Sequence, residues 1–286
     1  MDPATSSANA ALSDEGQELY DLFRRPQGRS RPRPDERAAI ESARIEELTV
    51  GGNRVVTYRW GDGQRPVLLV HGWESRASRY AKVIAPLVEL GYSPVSFDAP
   101  GHGESDGDST TLVEYRDIIT ALHASCGDFE AVVAHSFGVM GALLALRGGV
   151  RAGRLVAVSS VPDFGYVVEA FRIRLKLSPE LVTELKHRIE RDLYPGEADM
   201  WTRFSVFHRA TDFDLPLLVI HDEDDVAVDP EQSRRIARVY EGQARLVTTR
   251  RFGHGRILGS PQLISEVTDF VTAGAHADVQ QTEVAR

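Results

Sequence analysis

Short apolar runs alternate with segments of helical periodicity along most of this 286-residue chain. Nearly continuous apolar strands that are separated by helices are typical of a parallel sheet buried on both faces. The pattern therefore predicts an α/β protein. Its apolar strands are Val67–Val70, Pro94–Asp98, Ala131–His135, Leu155–Ser159, Pro216–His221 and Arg245–Thr249.

A hairpin precedes these strands. Arg44–Val50 and Arg54–Trp60 stand on either side of Gly51-Gly52-Asn53, which is a turn sequence. The hairpin adds two strands, so we expect a mostly parallel eight-stranded sheet flanked by helices.

The stretch 161–215 is too long for a simple connection between two strands. It carries many large apolar residues, and some of them, such as Leu181, Leu185 and Ile189, recur at helical spacing. We expect a helical insertion after strand 6. The core of the domain is then divided into residues 44–160 and 216–273.

The two ends differ in composition from this core. Residues 1–43 are predicted to be an N-terminal arm, in which Leu19, Leu22 and Phe23 form a short helix that docks on the body. Residues 24–34 hold five arginines and three prolines, which favours an extended, solvated linker. A nucleic-acid-binding tail is the less favoured reading, because no aromatic residue interleaves with the arginines. Residues 274–286 are predicted to be a flexible tail.

Composition narrows the possible partners. The net charge of -9 argues against nucleic acid and anionic membranes as partners, and Cys126, being alone, excludes an intrachain disulfide. We expect no leader, since no charged-then-apolar segment follows Met1, and no apolar run approaches the roughly 18 residues that span a bilayer. We expect a cytoplasmic protein without membrane insertion. Because no histidines or cysteines show metal-ligand spacing, neither a metal nor a cofactor is predicted; the oligomeric state stays open.

Ser136 stands between the apolar strand Ala131–His135 and an apolar helical run. A strand that turns sharply into a helix holds a serine hydroxyl at the tip of a strained bend, near the helix N-terminus. Ala134 and Gly138 are small, as the close passage of strand and helix requires. We therefore predict Ser136 as a nucleophile and the N–H of Phe137 as one donor to a developing oxyanion.

A serine nucleophile needs an imidazole base, and the chain has nine histidines. His254 is favoured because it follows the last strand between Gly253 and Gly255, at the sheet edge where Ser136 lies. His221 ends a buried strand, which is typical of a core histidine.

Four further segments, together with Ser136, resemble the motifs of one known superfamily. Taken together with the serine, Val67–Trp73, Phe97–Ser105, Leu217–Asp225 and Gly253-His254-Gly255 resemble the α/β-hydrolase superfamily, in the serine-nucleophile branch of small bacterial esterase-like hydrolases. The resemblance covers roughly residues 45–273. It implies an α/β-hydrolase fold, with 161–215 as a helical cap over the active site.

The resemblance also implies the remaining site residues. The superfamily places an acid in a His-Gly-x-x-Asp sequence, and alignment on His221 puts Asp222 at the glycine and Asp225 at the acid. Asp224 remains the alternative. Trp73, which follows His71-Gly72, is implied as the second oxyanion donor, and His71 and His102 as structural histidines.

The substrate pocket is predicted where the cap would cover the strand ends. We expect it to accept the apolar portion of a small ester-like molecule, either its acyl or its alcohol part. An ordinary packed excursion without substrate contact is the alternative for this segment. The expected lining side chains are Trp73, Phe164, Phe171, Trp201 and Phe204.

The resulting prediction is a serine hydrolase that cleaves an ester-like carbonyl, first of all a carboxylic ester, through an acyl-enzyme. Thioester cleavage, carbon–carbon bond hydrolysis and cofactor-free perhydrolysis use the same machinery and stay open. A binding or sensor protein with slow turnover is the rival from another class. A serine in place of an aspartate nucleophile argues against haloalkane dehalogenases and most epoxide hydrolases.

Overall fold

The computed structural model describes residues 13–284, with side chains described to residue 273. Eight strands form a single sheet, and their bounds agree closely with those that the apolar pattern predicts. The strands are β1 Arg44–Val50, β2 Asn53–Arg59, β3 Pro66–Val70, β4 Ser93–Phe97, β5 Ala131–His135, β6 Leu155–Val158, β7 Leu217–Asp222 and β8 Ala244–Thr249.

The strand order is β1-β2-β4-β3-β5-β6-β7-β8. β2 pairs antiparallel with both β1 and β4, and every other neighbouring pair is parallel. The prediction of a mostly parallel eight-stranded sheet is confirmed. In such a sheet the carboxyl ends of the parallel strands lie at one edge, where ligand sites are commonly found.

Helices lie on both faces of the sheet. Several short 3-10 turns and one π-helical turn, Ile189–Leu193, complete the secondary structure. The helices are α1 Asp14–Arg24, α2 Arg37–Glu41, α3 Ala81–Glu89, α4 Leu112–Cys126, α5 Phe137–Arg147, α6 Phe164–Leu175, α7 Pro179–Arg188, α8 Met200–Arg203, α9 Glu231–Val239, α10 Gly253–Arg256 and α11 Pro261–Val284.

The core is split into two layers by the alternation of side chains along the strands. In β3, Leu68 and Val70 pack with α4 and α5 on one face of the sheet. Val67 and Leu69 pack with α3 and α11 on the other face. Because both faces are covered, the whole of β3 is buried, which explains why its sequence is apolar at every position.

The ends of the helices are specified locally. Thr111 caps α4 by accepting the N–H of Glu114 at 3.1 Å, and the Glu114 carboxylate accepts the N–H of Thr111 at 2.8 Å. Ser260 precedes α11 and accepts the N–H of Leu263 at 3.0 Å. These bonds satisfy backbone donors that a helix leaves unpaired at its start.

The predicted insertion after strand 6 is present. Between the end of β6 and the start of β7, the chain forms α6, α7 and α8, and the apolar residues of this segment join the core layer of α4 and α5. The insertion is helical, as expected.

The N-terminal segment is organised differently from the solvated linker that we expected. The predicted docking helix is present as α1, and residues 1–12 of the arm lie outside the described residues. The Arg29 guanidinium donates to the carbonyl oxygens of His102, Gly103, Ser105 and Gly107. The segment is extended and largely exposed, as expected, and differs from the expectation in being attached to the core, because a guanidinium fork binds several carbonyl oxygens of one core loop at once.

At the C-terminus, α11 continues to Val284. The tail that we predicted from residue 274 thus begins inside a helix, and its last two residues lie outside the described range. Within residues 13–284, no helix combines the length and apolar character needed to cross a membrane.

Candidate active site

Ser136 lies at the turn from β5 into α5, with φ of 54° and ψ of -123°. A positive φ is strained for a residue with a side chain and persists only where the surroundings enforce it. Here the Ser136 N–H donates to the Val158 carbonyl of the neighbouring strand at 2.8 Å. The bend puts the serine at the carboxyl edge of the sheet, as the sequence predicts.

Two glycines permit the close packing around this bend. A Cβ on Gly138 would lie 2.4 Å from the carbonyl oxygen of His71, and a Cβ on Gly72 would lie 2.9 Å from the Ser136 Cβ. Real Cβ atoms do not approach so closely. The start of α5 therefore rests directly on the end of β3, and the backbone around Gly72 rests directly on the serine.

His254 and Asp225 meet Ser136 in a continuous chain of hydrogen bonds. Nε2 of His254 lies 2.9 Å from Oγ of Ser136, and Nδ1 of His254 lies 2.8 Å from Oδ2 of Asp225. Asp224 instead accepts the backbone N–H of Arg251 at 2.7 Å. Of the two acids left open by the sequence, the geometry therefore brings Asp225 to the histidine.

The Asp225 carboxylate is buried and strongly stabilised as an anion. Burial by itself raises the pKa of Asp225, but hydrogen bonds from His221 and His254, the charge of His254 and the N–H of Val228 outweigh it and hold the pKa well below the usual range. His221 Nε2 lies 3.1 Å from Oδ2, while its Nδ1 accepts the Ser233 hydroxyl at 2.6 Å. Asp225 thus stays charged wherever the protein is folded at ordinary pH.

Asp222, which occupies the place of the superfamily's glycine, holds the loop that carries His254. Its Oδ1 accepts the N–H of Gly253 at 3.0 Å, and its Oδ2 accepts the Thr249 hydroxyl at 2.7 Å and the N–H of Phe252 at 3.1 Å. Burial raises the pKa of Asp222, but these hydrogen bonds lower it by more, so the pKa lies below its usual range. The end of β7 and the loop after it therefore supply two buried carboxylates. Asp225 contacts the His254 side chain, and Asp222 binds the backbone of the loop that carries His254.

His135 supports His254 from the other side. Its Nε2–H donates to the His254 carbonyl oxygen at 2.8 Å, and the two rings lie 4.8 Å apart. Burial, with a smaller contribution from the nearby His254, lowers the pKa of His135 to about 3. A neutral His135 adds no charge beside the histidine that faces Ser136.

His71 fixes the peptide that carries the Trp73 N–H. Its Nε2 accepts the N–H of Ala99 at 3.0 Å, so its Nδ1 carries the proton and donates to the Gly72 carbonyl at 2.7 Å. In a planar trans peptide the N–H points opposite to the C=O. The N–H of Trp73 therefore points away from His71. Burial lowers the pKa of His71 to about 3, which keeps this arrangement neutral.

The two predicted oxyanion donors flank the serine. Phe137 is the first residue of α5, and the Trp73 and Phe137 rings lie 5.7 Å apart. In the part of the chain that the structure describes, no protein group accepts a hydrogen bond from the N–H of either residue. His102 stabilises the next turn by accepting the N–H of Glu74 at 3.1 Å. His71 and His102 thus both bind backbone, as the resemblance implied.

A cavity of about 580 Å³ opens over Ser136 and His254. Of the five side chains predicted to line it, Trp73, Phe164 and Phe171 do so. Trp201 and Phe204 do not, and this part of the prediction is wrong. Phe204 is buried behind Phe164 at 6.2 Å, and the Trp201 indole N–H donates to Glu190, so both support the cavity wall from outside.

Sequence reasoning missed several lining residues. Tyr166 and Tyr194 come from the cap, Val226 comes from the loop of Asp225, and Leu22 and Phe23 come from α1. The apolar spacing of Leu22 and Phe23 indicated a docking helix, but nothing in it indicated where the helix docks. Among the described residues, no group of three or more histidines, cysteines and acids is arranged to hold a metal ion.

Comparison with known proteins identifies the class of this fold and site. Residues 67–267 match the model of the alpha/beta hydrolase family. Because the match covers more than half of the chain, the protein belongs to the α/β-hydrolase family.

Particular relatives are more distant. The chain is 25% identical over 248 residues to a non-heme haloperoxidase from Rhodococcus erythropolis, an alignment that covers 71% of this chain and 90% of the relative. An esterase from Pyrococcus furiosus superposes with a TM-score of 0.63 at 20% identity, over 87% of this chain and 98% of the esterase. A thioesterase domain from the curacin biosynthetic pathway superposes with a TM-score of 0.58 at 18% identity, over 81% and 99% of the two chains. At these identities the two structures share the fold with this chain.

The packing of α5 on β3 gives a test by substitution. Gly138→Ala should lower the free energy of unfolding by about 1–3 kcal/mol, because the added methyl meets the backbone of His71. Gly255→Ala, in a helix with open space around it, is the matched control and should change stability by less than about 1 kcal/mol. Urea unfolding measures both variants. Equal stability of the two variants would show that α5 is not held against β3 as described.

The buried neutral histidines give a pH dependence of stability. His71 and His135 have a pKa of about 3 in the folded protein, against about 6.5 in an unfolded chain. Between these pH values the unfolded chain binds more protons, so the free energy of unfolding should fall as the pH drops below about 6.5. Each histidine contributes up to about 1.4 kcal/mol per pH unit.

Urea unfolding at pH 7, 6 and 5 measures this slope. His135→Gln should make the slope shallower, whereas His187→Gln, which changes an exposed histidine, should leave it as it is. A slope in His135→Gln as steep as in the unsubstituted protein would mean that His135 is not kept neutral by the fold.

Proposed function

We propose that this protein is a serine hydrolase that cleaves an ester-like carbonyl, first of all a carboxylic ester, through an acyl-enzyme. The observation that carries the proposal is the chain of hydrogen bonds from Asp225 through His254 to Ser136, of 2.8 and 2.9 Å. A buried carboxylate, an imidazole and a serine on a strained turn form the arrangement that activates a weak nucleophile.

In the first half of the reaction, Ser136 Oγ attacks the carbonyl carbon and His254 Nε2 takes its proton. Asp225 accepts the Nδ1–H of His254, which fixes the required tautomer and stabilises the imidazolium as it forms. The oxygen of the tetrahedral intermediate lies at the N–H groups of Phe137 and Trp73. The imidazolium then gives its proton to the departing alcohol, and the acyl group stays on Ser136.

In the second half, His254 takes a proton from water, which attacks the acyl carbon. The carboxylic acid leaves and the serine regains its proton. The aromatic side chains above Ser136, among them Phe164 and Phe171, favour an apolar acyl or alcohol group in the cavity.

Perhydrolysis is the second candidate, and the likeness to the Rhodococcus non-heme haloperoxidase favours it. In that reaction hydrogen peroxide replaces water, attacks the acyl-enzyme and leaves as a peracid, while the serine regains its proton. No metal or redox group takes part. Peracetic acid and acetic acid formed from p-nitrophenyl acetate in the presence of hydrogen peroxide are the two products of one acyl-enzyme, and their ratio measures its preference for peroxide over water.

Replacement of the nucleophile tests the main proposal. Ser136→Ala should lose labelling by a fluorophosphonate probe and should lose more than about a hundredfold of its turnover of p-nitrophenyl esters, since removal of a triad member costs several orders of magnitude. The melting temperature should stay within a few degrees. Turnover above about one hundredth of the unsubstituted protein would refute the assignment of Ser136.

A pair of isosteric changes tests the acid. Asp225→Asn should lower kcat by about 10⁴-fold, because an amide no longer holds His254 in the required tautomer. Asp224→Asn is the matched control: its carboxylate binds the backbone of Arg251, and we expect less than about a tenfold loss. Steady-state kinetics on one p-nitrophenyl ester compares them. A larger loss in Asp224→Asn would reverse the two roles.

A further inference from the structure

The N-terminal segment reaches the cavity above Ser136. Leu22 and Phe23 from the end of α1, together with Arg25 and Gln27 beyond it, line the same cavity as Ser136 and His254. All of them precede residue 67, where the match to the family model begins. This wall of the cavity therefore lies outside the segment that matches the hydrolase family model.

The segment is attached to the cap at its start. The N–H and hydroxyl of Ser13 donate to the Glu184 carboxylate of α7 at 2.7 and 2.8 Å. Arg188, which is buried, donates to Glu184 and to the Ser13 carbonyl, both at 3.1 Å, and to the Gln17 side chain. Gly16 lies so close to Glu184 that a Cβ there would be 2.1 Å from its carboxylate oxygen. These contacts hold the first turn of α1 against α7.

The segment is attached to the core at its other end. Arg25 pairs with Asp108 at 3.0 Å, and the N–H of Gln27 donates to the Glu74 carboxylate at 2.9 Å. Glu74 follows Trp73, whose N–H is one of the proposed oxyanion donors. Residues 14–27 thus bridge from the cap to the loop beside Ser136 and cross the cavity between these two anchors.

Phe23 is the aromatic side chain that this bridge contributes. The centroid of its ring lies 5.2 Å from that of Phe171 and 6.0 Å from that of Phe164, and both pairs are edge-on. Phe164 in turn contacts Phe137, the residue after Ser136, at 6.5 Å. A series of aromatic contacts therefore runs from Phe137, next to the serine, to Phe23, and edge-to-face pairing is a preferred arrangement of aromatic rings.

The outer end of the cavity combines three apolar side chains with the polar side chains of Arg25, Gln27, Glu74 and Arg174. Leu22, Ile173 and Val226 line it and are exposed by 36%, 61% and 100%, respectively. Exposed apolar side chains grouped around one cavity mark a binding surface more often than isolated ones do. A substrate that fills the cavity from Ser136 to this rim passes Phe23 on the way.

We propose that residues 14–27 are a built-in wall of the substrate pocket and that Phe23 is a specificity-determining side chain, which favours esters with an extended apolar acyl group over short ones. The inference rests on the proposed hydrolase function and names the substrate class for the same site. Because the Phe23 ring lies beyond Phe164, whose ring contacts that of Phe137, we expect an acetyl group on Ser136 to leave Phe23 untouched and a medium-length acyl chain to reach it.

The test compares p-nitrophenyl acetate with p-nitrophenyl octanoate on two variants of the same helix. Phe23→Ala should lower kcat/KM for the octanoate ester by about tenfold and change that for the acetate ester by less than about twofold, as loss of an apolar contact in a pocket does. Leu19→Ala is the matched control, since Leu19 packs on the core layer but does not line the cavity. It should change both esters alike.

Phe23→Leu covers the case in which the alanine variant does not fold; it keeps an apolar side chain and should show a smaller loss with the same preference. Thermal unfolding of each variant checks its fold. Equal losses on the two esters in a folded Phe23 variant, or no loss at all, would overturn the proposal.

A binding measurement separates failure of the wall proposal from failure of the proposed hydrolase function. Octanoate binding is measured by equilibrium dialysis with Ser136→Ala, alone and combined with Phe23→Ala. Binding weakened by about tenfold in the double variant supports the wall even when no ester is turned over. Unchanged octanoate binding contradicts it whether or not the protein is a hydrolase.

Discussion

The contact of α5 with the end of β3 is the constraint on which the rest of the site depends. Helix α5 starts so close to β3 that the His71 carbonyl leaves no space for a side chain at Gly138. This proximity forces the bend at Ser136 into a positive φ and holds its hydroxyl at the sheet edge. It also brings the backbone of Gly72 against the serine, so that Trp73 and Phe137 lie on either side of it.

Burial and hydrogen bonding keep some groups at the site charged and others neutral. Asp225 and Asp222 are both buried anions at the end of β7, and each is stabilised by donors from the loop that it faces. One orients the imidazole of His254, and the other holds the backbone that carries it. His71 and His135 stay neutral because they are buried, so no competing positive charge arises beside His254. This separation of charged and neutral groups supports the hydrogen-bond chain from Asp225 through His254 to Ser136, which carries the catalytic proposal.

The sequence predicts the sheet well because both of its faces are covered, which makes β3 apolar at every position and β5 apolar up to His135. It also leads to Ser136, directly after β5, and to His254, on the loop that follows β8, while Asp225 was predicted from the resemblance to the α/β-hydrolase superfamily. It left Asp224 open because a shift of one residue in a loop changes no apolar pattern. It misplaced Trp201 and Phe204 because helical spacing indicates a buried face without naming its neighbours. The position of Phe23 over the cavity depends on the docking of α1 against α7, which only the tertiary structure contains.

The acyl-enzyme on Ser136 is the central claim, and a p-nitrophenyl carbamate tests it most directly, because a carbamoylated serine loses its acyl group slowly. The protein is mixed with the carbamate, the released p-nitrophenolate is counted, and the digested protein is analysed by mass spectrometry. The account predicts about one equivalent of p-nitrophenolate per protein and a carbamoyl group on the peptide that contains Ser136. Release of p-nitrophenolate with the carbamoyl group on another residue, or with none attached, would contradict it.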